Sequence, residues 1–408
     1  MKKNEIIAKY NKFVANTYHN LPIVLKEGKG IWLKDVDGKE YMDFWSTYSA
    51  MNLGHNNTRL NKVVDRVLKK GCLTARPCYC EELAILGEKL SQLTKMDIMI
   101  IPKNGGSESV ETAIKAMRMY AYRERGIPKD KAEIIVAEGN FHGRTTTIIS
   151  FSSVGKYKDD FGPLTPGFKI VPYNNSEAIE KAITPNTIGV LLEPIQGEGG
   201  VNVPSKDYLF QVRRICTKHN LLLALDEIQT GMGRTGKMFC YEHSAIKPDL
   251  LILGKALGGG IVPISVLVGR REIMKHWVPG DDGSTLGGYA LAAAVACEVI
   301  DIFTEEKIPE KVFYLGMEFI TALKTISSPY IKEVRGKGLM IGIQLSEKVT
   351  ARAIVEELLK EGLLCGEARG NVLRLTPPLI IKERELDWAF DRLKKVLKSY
   401  NEIYWFPA

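Results

Sequence analysis

Short apolar runs alternate with helical stretches through the middle of this 408-residue chain, and this alternation constrains its fold more than any other feature. Seven runs of strand length occupy residues 98–101, 134–137, 169–172, 188–192, 221–225, 250–253 and 264–268. Helical spacing of apolar residues separates several of them, at 107–124, 176–183 and 206–219. Strands that alternate with helices predict an α/β fold with a mostly parallel, seven-stranded sheet whose two faces are covered.

Beyond residue 287 the pattern changes to one typical of a separate α+β unit. Helical and strand-like stretches follow one another there at 288–305, 309–326, 330–335, 340–345, 350–362, 372–376 and 382–399. Near the amino terminus, Asp37-Gly38 between two apolar runs predicts a hairpin within residues 30–44. We therefore expect a large domain at 51–290, a small domain at 291–408, and an amino-terminal segment, 1–50, that packs with the small domain.

Composition and charge exclude several classes of protein. The 56 Lys and Arg against 48 Asp and Glu give a net charge of +8. This charge is spread along the chain and is not interleaved with aromatic residues, so no nucleic-acid partner is expected. Seven cysteines include a lone Cys78-x-Cys80 without a matching pair, which predicts no metal site. No apolar run approaches the roughly 18 residues of a membrane span, and we expect a soluble, cytoplasmic protein.

One lysine and one aspartate carry the strongest chemical signal. Lys255 stands among glycines just after the run at 250–253, and Asp226 follows the run at 221–225. A lysine amine can bond covalently to an aldehyde cofactor, and a carboxylate can keep a ring nitrogen protonated so that the ring accepts electrons. These are the requirements of pyridoxal 5′-phosphate (PLP). Taken alone, each residue is more typical of an ordinary structural role, the lysine as a surface residue after a strand and the aspartate as an acid that caps a helix.

Two more segments place polar groups at the expected strand ends. The turn Gly105-Gly106-Ser107 opens a helix, where backbone N–H groups and the helix dipole favour a phosphate. A tight turn with Ser107 as a simple cap explains this segment about as well. Phe141 would cover the face of an aromatic cofactor and Arg144 would bind a carboxylate. The segment alone is at least as well explained by a loop in which the phenylalanine packs in the core and the arginine forms a salt bridge. We interpret the intervening His142 as a satisfied polar side chain.

Further candidates follow the later strands. Glu198 lies among glycines, where its carboxylate is free to pair with a cation in the site. The segment alone is equally consistent with a solvent-exposed glutamate in a loop. Gln229, about one turn beyond Asp226, would donate a hydrogen bond to a ring oxygen of the cofactor. Thr285 would donate a hydrogen bond from its hydroxyl group to the cofactor phosphate. Most of these segments follow predicted strands, and the ends of strands are where ligands bind in open α/β sheets.

Taken together, these segments resemble the class III aminotransferases of PLP fold type I, over about residues 18–397. The most specific match is Asp226-Glu-Ile-Gln-Thr-Gly followed by Leu-Gly-Lys255-Ala-Leu-Gly-Gly-Gly. Segments 16–22 and 47–55 look like those of the ornithine-type members, and the resemblance implies that Tyr18 and Tyr48 line the substrate pocket. It also implies that Arg374 pairs with Glu198.

The resemblance implies a reaction and an assembly. The reaction is transfer of the δ-amino group of L-ornithine to 2-oxoglutarate, with PLP as cofactor. The assembly is a homodimer with shared active sites, in which Thr285 serves the phosphate of the neighbouring subunit. Leu286, Tyr289 and the Cys78–Cys80 segment depart from the ornithine-type pattern. An acetylornithine, lysine or other ω-aminotransferase, or a racemase or epimerase of the same class, therefore remains the alternative, and a non-catalytic protein is disfavoured by the presence of both Lys255 and Asp226.

Overall fold

Three β-sheets organise the chain, of which the computed structural model describes residues 1–73 and 78–399. Within these ranges the strands, numbered β1 to β15 in chain order, are Leu25–Lys29, Trp32–Asp35, Glu40–Asp43, Ile98–Lys103, Glu133–Ala137, Phe168–Val171, Thr187–Leu192, Leu222–Asp226, Leu250–Leu253, Ser265–Arg270, Ile331–Lys337, Met340–Leu345, Leu363–Leu364, Gly366–Ala368 and Val372–Leu375. The α-helices are Lys3–Phe13, Thr58–Lys70, Glu81–Thr94, Gly106–Glu124, Thr146–Ser150, Ser176–Lys181, Tyr208–Lys218, Arg271–Met274, Ala290–Glu305, Ile308–Lys324, Ala351–Lys360 and Glu383–Ser399. Short 3-10 helices lie at Gly155–Tyr157, Cys240–Ser244 and Lys255–Gly258.

The large sheet contains all seven of the predicted strands. Its order is β4-β10-β9-β8-β7-β5-β6, and only β10 runs against its two neighbours. Every residue of β7, β8 and β9 is buried, as expected for parallel strands covered on both faces. The predicted mostly parallel sheet is confirmed, with strand ends that lie within two residues of the prediction.

Two four-stranded sheets form the smaller part of the fold. One has the order β1-β2-β3-β13, so that Met42 of the amino-terminal hairpin pairs with Leu363 near the other end of the chain. The other has the order β11-β12-β15-β14. The hairpin turn is stabilised by the Asp35 carboxylate, which accepts the N–H groups of Asp37 and Lys39 at 3.0 and 2.9 Å. The predicted smaller α+β part built from both termini is thus confirmed.

Several elements carry no clear pattern in the sequence. They include the helix Lys3–Phe13, which has no buried residue, and the two- and three-residue strands β13 and β14. A left-handed turn at Ser46–Ser49 also has no glycine to announce it. Among the helices in the described ranges, none combines the length and apolar character needed to cross a membrane.

Candidate active site

The cavity that contains most of the predicted residues opens at the carboxyl ends of β4, β5, β7, β8 and β9. Its volume is about 580 Å³. Eight residues expected from the sequence line it: Gly106, Ser107, Phe141, Arg144, Glu198, Asp226, Gln229 and Lys255. These residues lie at or beyond the carboxyl ends of the five strands, which is where ligands bind in open α/β sheets.

The other four predicted residues lie outside this lining. Arg374 and Tyr48 stand directly behind it, because the Arg374 guanidinium carbon lies 4.9 Å from the centre of the Tyr48 ring and Arg374 is ion-paired with Glu198. Tyr18 is 64% exposed, and Thr285 lies on an exposed stretch of the loop after residue 280. Their expected roles remain predictions.

Lys255 begins a 3-10 turn directly after β9. Its φ of +45° is unusual for a residue with a side chain. Such backbone strain costs about 1–3 kcal/mol and persists only where the surrounding structure holds the residue in place. Burial lowers the pKa of its amine, and the Glu198 carboxylate opposes that shift without cancelling it. The amine therefore loses its proton more readily than an exposed lysine, which makes it a better nucleophile.

Asp226 ends β8 with both carboxylate oxygens engaged. One oxygen accepts the Ile228 N–H at 3.0 Å, and the other accepts a hydrogen bond from His142 Nδ1 at 2.7 Å. Burial opposes protonation of His142, but the Asp226 carboxylate outweighs it and the pKa of the imidazole is raised. Among the described residues the other ring nitrogen, Nε2, is buried without a hydrogen-bond partner. Our interpretation of His142 as a satisfied side chain is therefore only half correct, and its link to Asp226 was not foreseen.

A second buried acid, Glu193, was missed by the sequence analysis. Its carboxylate accepts the N–H groups of Phe141 and Gly197 at 2.8 and 3.2 Å, which fixes two loops of the cavity wall. Burial raises its pKa from 4.5 to about 7, although the nearby His142 works in the opposite direction. Its position directly after the apolar β7 was the available signal.

The raised pKa of Glu193 predicts a loss of stability with rising pH. The folded protein keeps the Glu193 proton up to about pH 7, whereas the unfolded chain releases it near 4.5. The stabilising effect is therefore complete below 4.5 and is lost as the pH rises through 7. Denaturant unfolding at pH 5 and pH 8 should show wild type losing more stability over this range than Glu193→Gln. Parallel pH dependence in the two proteins would count against this assignment.

The start of the helix Gly106–Glu124 provides an anion-binding turn. The Glu108 carboxylate accepts the N–H groups of Asn104 and Gly105 at 3.1 and 2.6 Å. The N–H groups of Gly106 and Ser107 belong to the first helical turn, where the helix itself offers no acceptor. Such N–H groups, together with the helix dipole, favour a phosphate.

Two glycines let this turn pack closely against neighbouring side chains of the cavity wall. A Cβ atom on Gly106 would lie 2.8 Å from the Ile228 side chain, and one on Gly143 would collide with Ser107. Ile228 and Phe141 add apolar surface to the same cavity. The cavity thus combines an anion-binding turn, an amine, a carboxylate and apolar walls, which matches the groups that a phosphorylated aromatic aldehyde presents.

Glu198 and Arg374 form an ion pair at the back of the cavity. Burial works to raise the pKa of Glu198, but Arg374, followed by Lys255, outweighs it and the pKa is lowered. Arg374 is only 1% exposed, and in the described part of the chain its Nε and one terminal nitrogen have no acceptor. Buried donors without partners are unfavourable. This guanidinium group can therefore donate hydrogen bonds to a second anionic oxygen.

The left-handed turn Ser46–Ser49 holds Tyr48 beside this ion pair. Its four residues have φ between +46° and +73°, and the Asp43 carboxylate accepts two N–H groups at the start of the turn, the shorter bond being 2.7 Å. The Gln229 side chain donates to the Tyr48 carbonyl at 3.3 Å. Strained turns of this kind persist only where the surrounding contacts fix them, and they cluster at functional sites.

Tyr157 and Arg369 border the same site and were not foreseen either. The Arg144 guanidinium carbon lies 3.6 Å from the centre of the Tyr157 ring, and that of Arg369 lies 5.8 Å from it. Stacking on an aromatic ring orients a guanidinium group without neutralising its charge. Arg144 is therefore held ready for a carboxylate at the cavity mouth.

Comparison with known proteins gives a consistent result. The family model for class III aminotransferases matches residues 13–397. An ornithine aminotransferase of Geobacillus sp. (strain WCH70) is 48% identical over 395 residues, which cover 97% of this chain and 98% of the relative. That of Bacillus subtilis (strain 168) is 46% identical over 398 residues, which cover 98% of each chain.

Solved structures of the same family share the whole fold. The crystal structure of the ornithine aminotransferase from Toxoplasma gondii ME49 has a TM-score of 0.95 at 36% identity, covering 97% of this chain and 95% of that one. An acetylornithine aminotransferase from Elizabethkingia anophelis has a TM-score of 0.88 at 36% identity, covering 97% and 99%. The sheet order, the cavity at the strand ends and the full-length matches agree, and the chain is a member of the class III aminotransferases.

Proposed function

We propose that the protein transfers the δ-amino group of L-ornithine to 2-oxoglutarate, with PLP as cofactor. The products are glutamate and glutamate 5-semialdehyde, which cyclises to pyrroline-5-carboxylate. The observation that carries this proposal is the ion pair of the partly buried Glu198 with the buried Arg374 beside Tyr48, because it allows one site to accept two differently charged substrates. The relatives named ornithine aminotransferase, at 46–48% identity over nearly the whole chain, support the same substrate.

The residues of the cavity fit PLP. A related structure, of the Toxoplasma gondii ornithine aminotransferase, shows partial occupancy of PLP at its active site. When bound, PLP withdraws electrons from the carbon atom that carries the reacting amine. In this chain Lys255 Nζ would hold the cofactor aldehyde, and the N–H groups of Gly106 and Ser107 would bind the phosphate. Asp226, supported by His142, would keep the ring nitrogen protonated.

Lys255 has a second task once its amine is released. Its Nζ atom would take a proton from the substrate carbon and return it to the C4′ carbon of the cofactor, and a lowered pKa suits this proton transfer near neutral pH. Phe141 would cover the ring and Gln229 would donate to its oxygen. Thr285 would reach the phosphate of a neighbouring subunit.

The two half-reactions place opposite demands on the cavity. Ornithine must present its far amine, whereas glutamate must present the amine beside its carboxylate. With ornithine, Glu198 neutralises Arg374, while Tyr18 and Arg144 hold the distant α-amino and α-carboxylate groups. With glutamate or 2-oxoglutarate, Glu198 moves away, Arg374 binds the α-carboxylate and Arg144 binds the side-chain carboxylate.

Replacing Glu198 by alanine should shift preference toward α-amino donors. Without its partner, Arg374 would always be available to bind the α-carboxylate of glutamate. The ratio of the ornithine to the glutamate half-reaction rate should therefore fall by about 10- to 100-fold, the value of one charge-assisted contact. Single-turnover kinetics of each half-reaction, followed by the absorbance of the bound cofactor, measure this ratio. An unchanged ratio would refute the switch.

A donor and acceptor panel tests the reaction itself. We expect ornithine to be consumed beyond one equivalent per active site only when 2-oxoglutarate is present, with pyrroline-5-carboxylate as product. A racemase or epimerase would invert its substrate without any oxoacid. An acetylornithine aminotransferase, the function named for the Elizabethkingia anophelis neighbour, would prefer N-acetylornithine. Either result would replace the proposed substrate.

A homodimer is the expected assembly. Tyr79 is fully exposed, Leu286 is 55% exposed next to Thr285, and the helix Lys3–Phe13 has no buried residue. Apolar surface of this kind marks contact with another chain, and a second copy is the commonest partner. Light scattering of the purified protein measures the mass directly.

A further inference from the structure

The hairpin formed by β14 and β15 holds Glu198 at two separate points. Arg374, on β15, binds the Glu198 carboxylate. Arg369, in the turn between the two strands, binds the Glu198 carbonyl oxygen through its backbone N–H and its side-chain Nε, both at 3.2 Å. One hairpin therefore fixes both the backbone and the side chain of a single residue.

Arg369 also reaches the loop that carries Phe141 and Arg144. Its terminal nitrogen donates to the carbonyl oxygens of Gly139 and Asn140 at 2.7 and 3.0 Å. No ion pair involves Arg369 in residues 1–73 and 78–399. Its charged side chain donates its hydrogen bonds to backbone carbonyl oxygens instead. Hydrogen bonds from a charged donor are roughly twice as strong as neutral ones.

We propose that Arg369 is a positioning residue that sets the amine preference of the enzyme by holding the Glu198 backbone in place. The inference rests on the proposed function, in which the Glu198 side chain must leave Arg374 and return to it. With its carbonyl oxygen held by Arg369, Glu198 switches by side-chain rotation alone and its carboxylate returns to the same place. Without the Arg369 side chain, the Glu198 carbonyl keeps only its bond from the Arg369 backbone N–H. The loop then relaxes, the ion pair weakens and Arg374 becomes available to α-carboxylates.

Arg335 offers a matched control. It lies on β11 and donates to the carbonyl oxygens of Gly200 and Val201, at distances of 2.6 to 3.2 Å. These carbonyls belong to the loop that contains Glu198, but they are two and three residues further along. Loss of Arg335 therefore removes a comparable set of bonds to this loop without releasing the Glu198 backbone.

The test compares Arg369→Gln with Arg335→Gln in single half-reactions. We expect Arg369→Gln to lower the ornithine-to-glutamate rate ratio by about tenfold, the lower range for a hydrogen bond from a charged group. Arg335→Gln should leave this ratio within about twofold of wild type, the scatter expected of an independent site, because every bond to the Glu198 carbonyl and carboxylate is kept. If Arg369→Gln does not fold, Arg369→Lys, which keeps the charge but cannot bridge all the carbonyls, is measured against the same criterion.

A double mutant separates this inference from the function on which it rests. In a Glu198→Ala background, Arg369→Gln should have no further effect on the ratio, because the residue through which it acts is gone. An unchanged ratio in Arg369→Gln, an equal change in Arg335→Gln, or a full additional effect in the double mutant would overturn the inference. Failure of wild type to use ornithine would instead overturn the proposed function.

Discussion

Replacing Lys255 by alanine is expected to reduce turnover by about 10⁴-fold or more, the upper range for loss of a single acid–base group. The loss should be large because the same amine holds the cofactor and moves the proton at the substrate carbon. The side chain lines the cavity and is partly buried, and desolvation lowers the pKa of its amine. Steady-state assays with ornithine and 2-oxoglutarate measure the effect.

Lys255→Arg is the informative control for this experiment. Arginine keeps the positive charge near Glu198 but cannot act as a nucleophile or lose its proton near neutral pH. We expect it to be as inactive as the alanine variant, with thermal unfolding close to wild type. Turnover within about tenfold of wild type in either variant, a loss too small for this role, would contradict the assignment of Lys255.

Replacing Asp226 by asparagine should lower turnover by about 10³-fold, the range for loss of one preorganised electrostatic contact. Asparagine keeps an oxygen for the Ile228 N–H but cannot hold a positive charge on the ring nitrogen or on His142. The expected loss is in the rate of the chemical step, with a smaller change in substrate affinity. Single-turnover kinetics with saturating ornithine separate the two.

Asp249→Asn controls for removal of a buried carboxylate from the same sheet. Asp249 is 5% exposed and pairs with Arg213 at 2.7 Å, at the opposite end of β9 from Lys255. We expect this variant to unfold at a lower temperature while its folded fraction keeps the wild-type rate. A similar loss of rate in both variants would mean that Asp226 acts through stability and not through the cofactor.

The fold was largely predictable because its signals are local. Most strands of the large sheet are built around a continuous apolar run, as β7, β8 and β9 are. Asp226 and Lys255 lie at or just beyond the ends of β8 and β9, so their meeting at one sheet edge follows from the parallel pairing of these strands. The two-residue strand β13 was missed because its pairing with β3 joins residues more than 300 positions apart. Strands this short leave no periodic pattern.

The supporting contacts of the site were less predictable. His142 and Asp226 are 84 positions apart, and Arg369 and Glu198 are 171 apart. Neither pair has a spacing or motif of its own. The left-handed turn at Ser46–Ser49 was also invisible, because its backbone is imposed by Asp43 and Gln229 and not by glycine. Long-range side-chain contacts of this kind become visible only in the folded chain.

Reductive trapping tests the central claim most directly. The holoenzyme is treated with borohydride, digested and mapped by mass spectrometry for the peptide that retains the cofactor. We predict a single modified side chain, Lys255, and no modification after prior reaction with excess ornithine in the absence of 2-oxoglutarate. Modification of another lysine, or of none, would contradict the account.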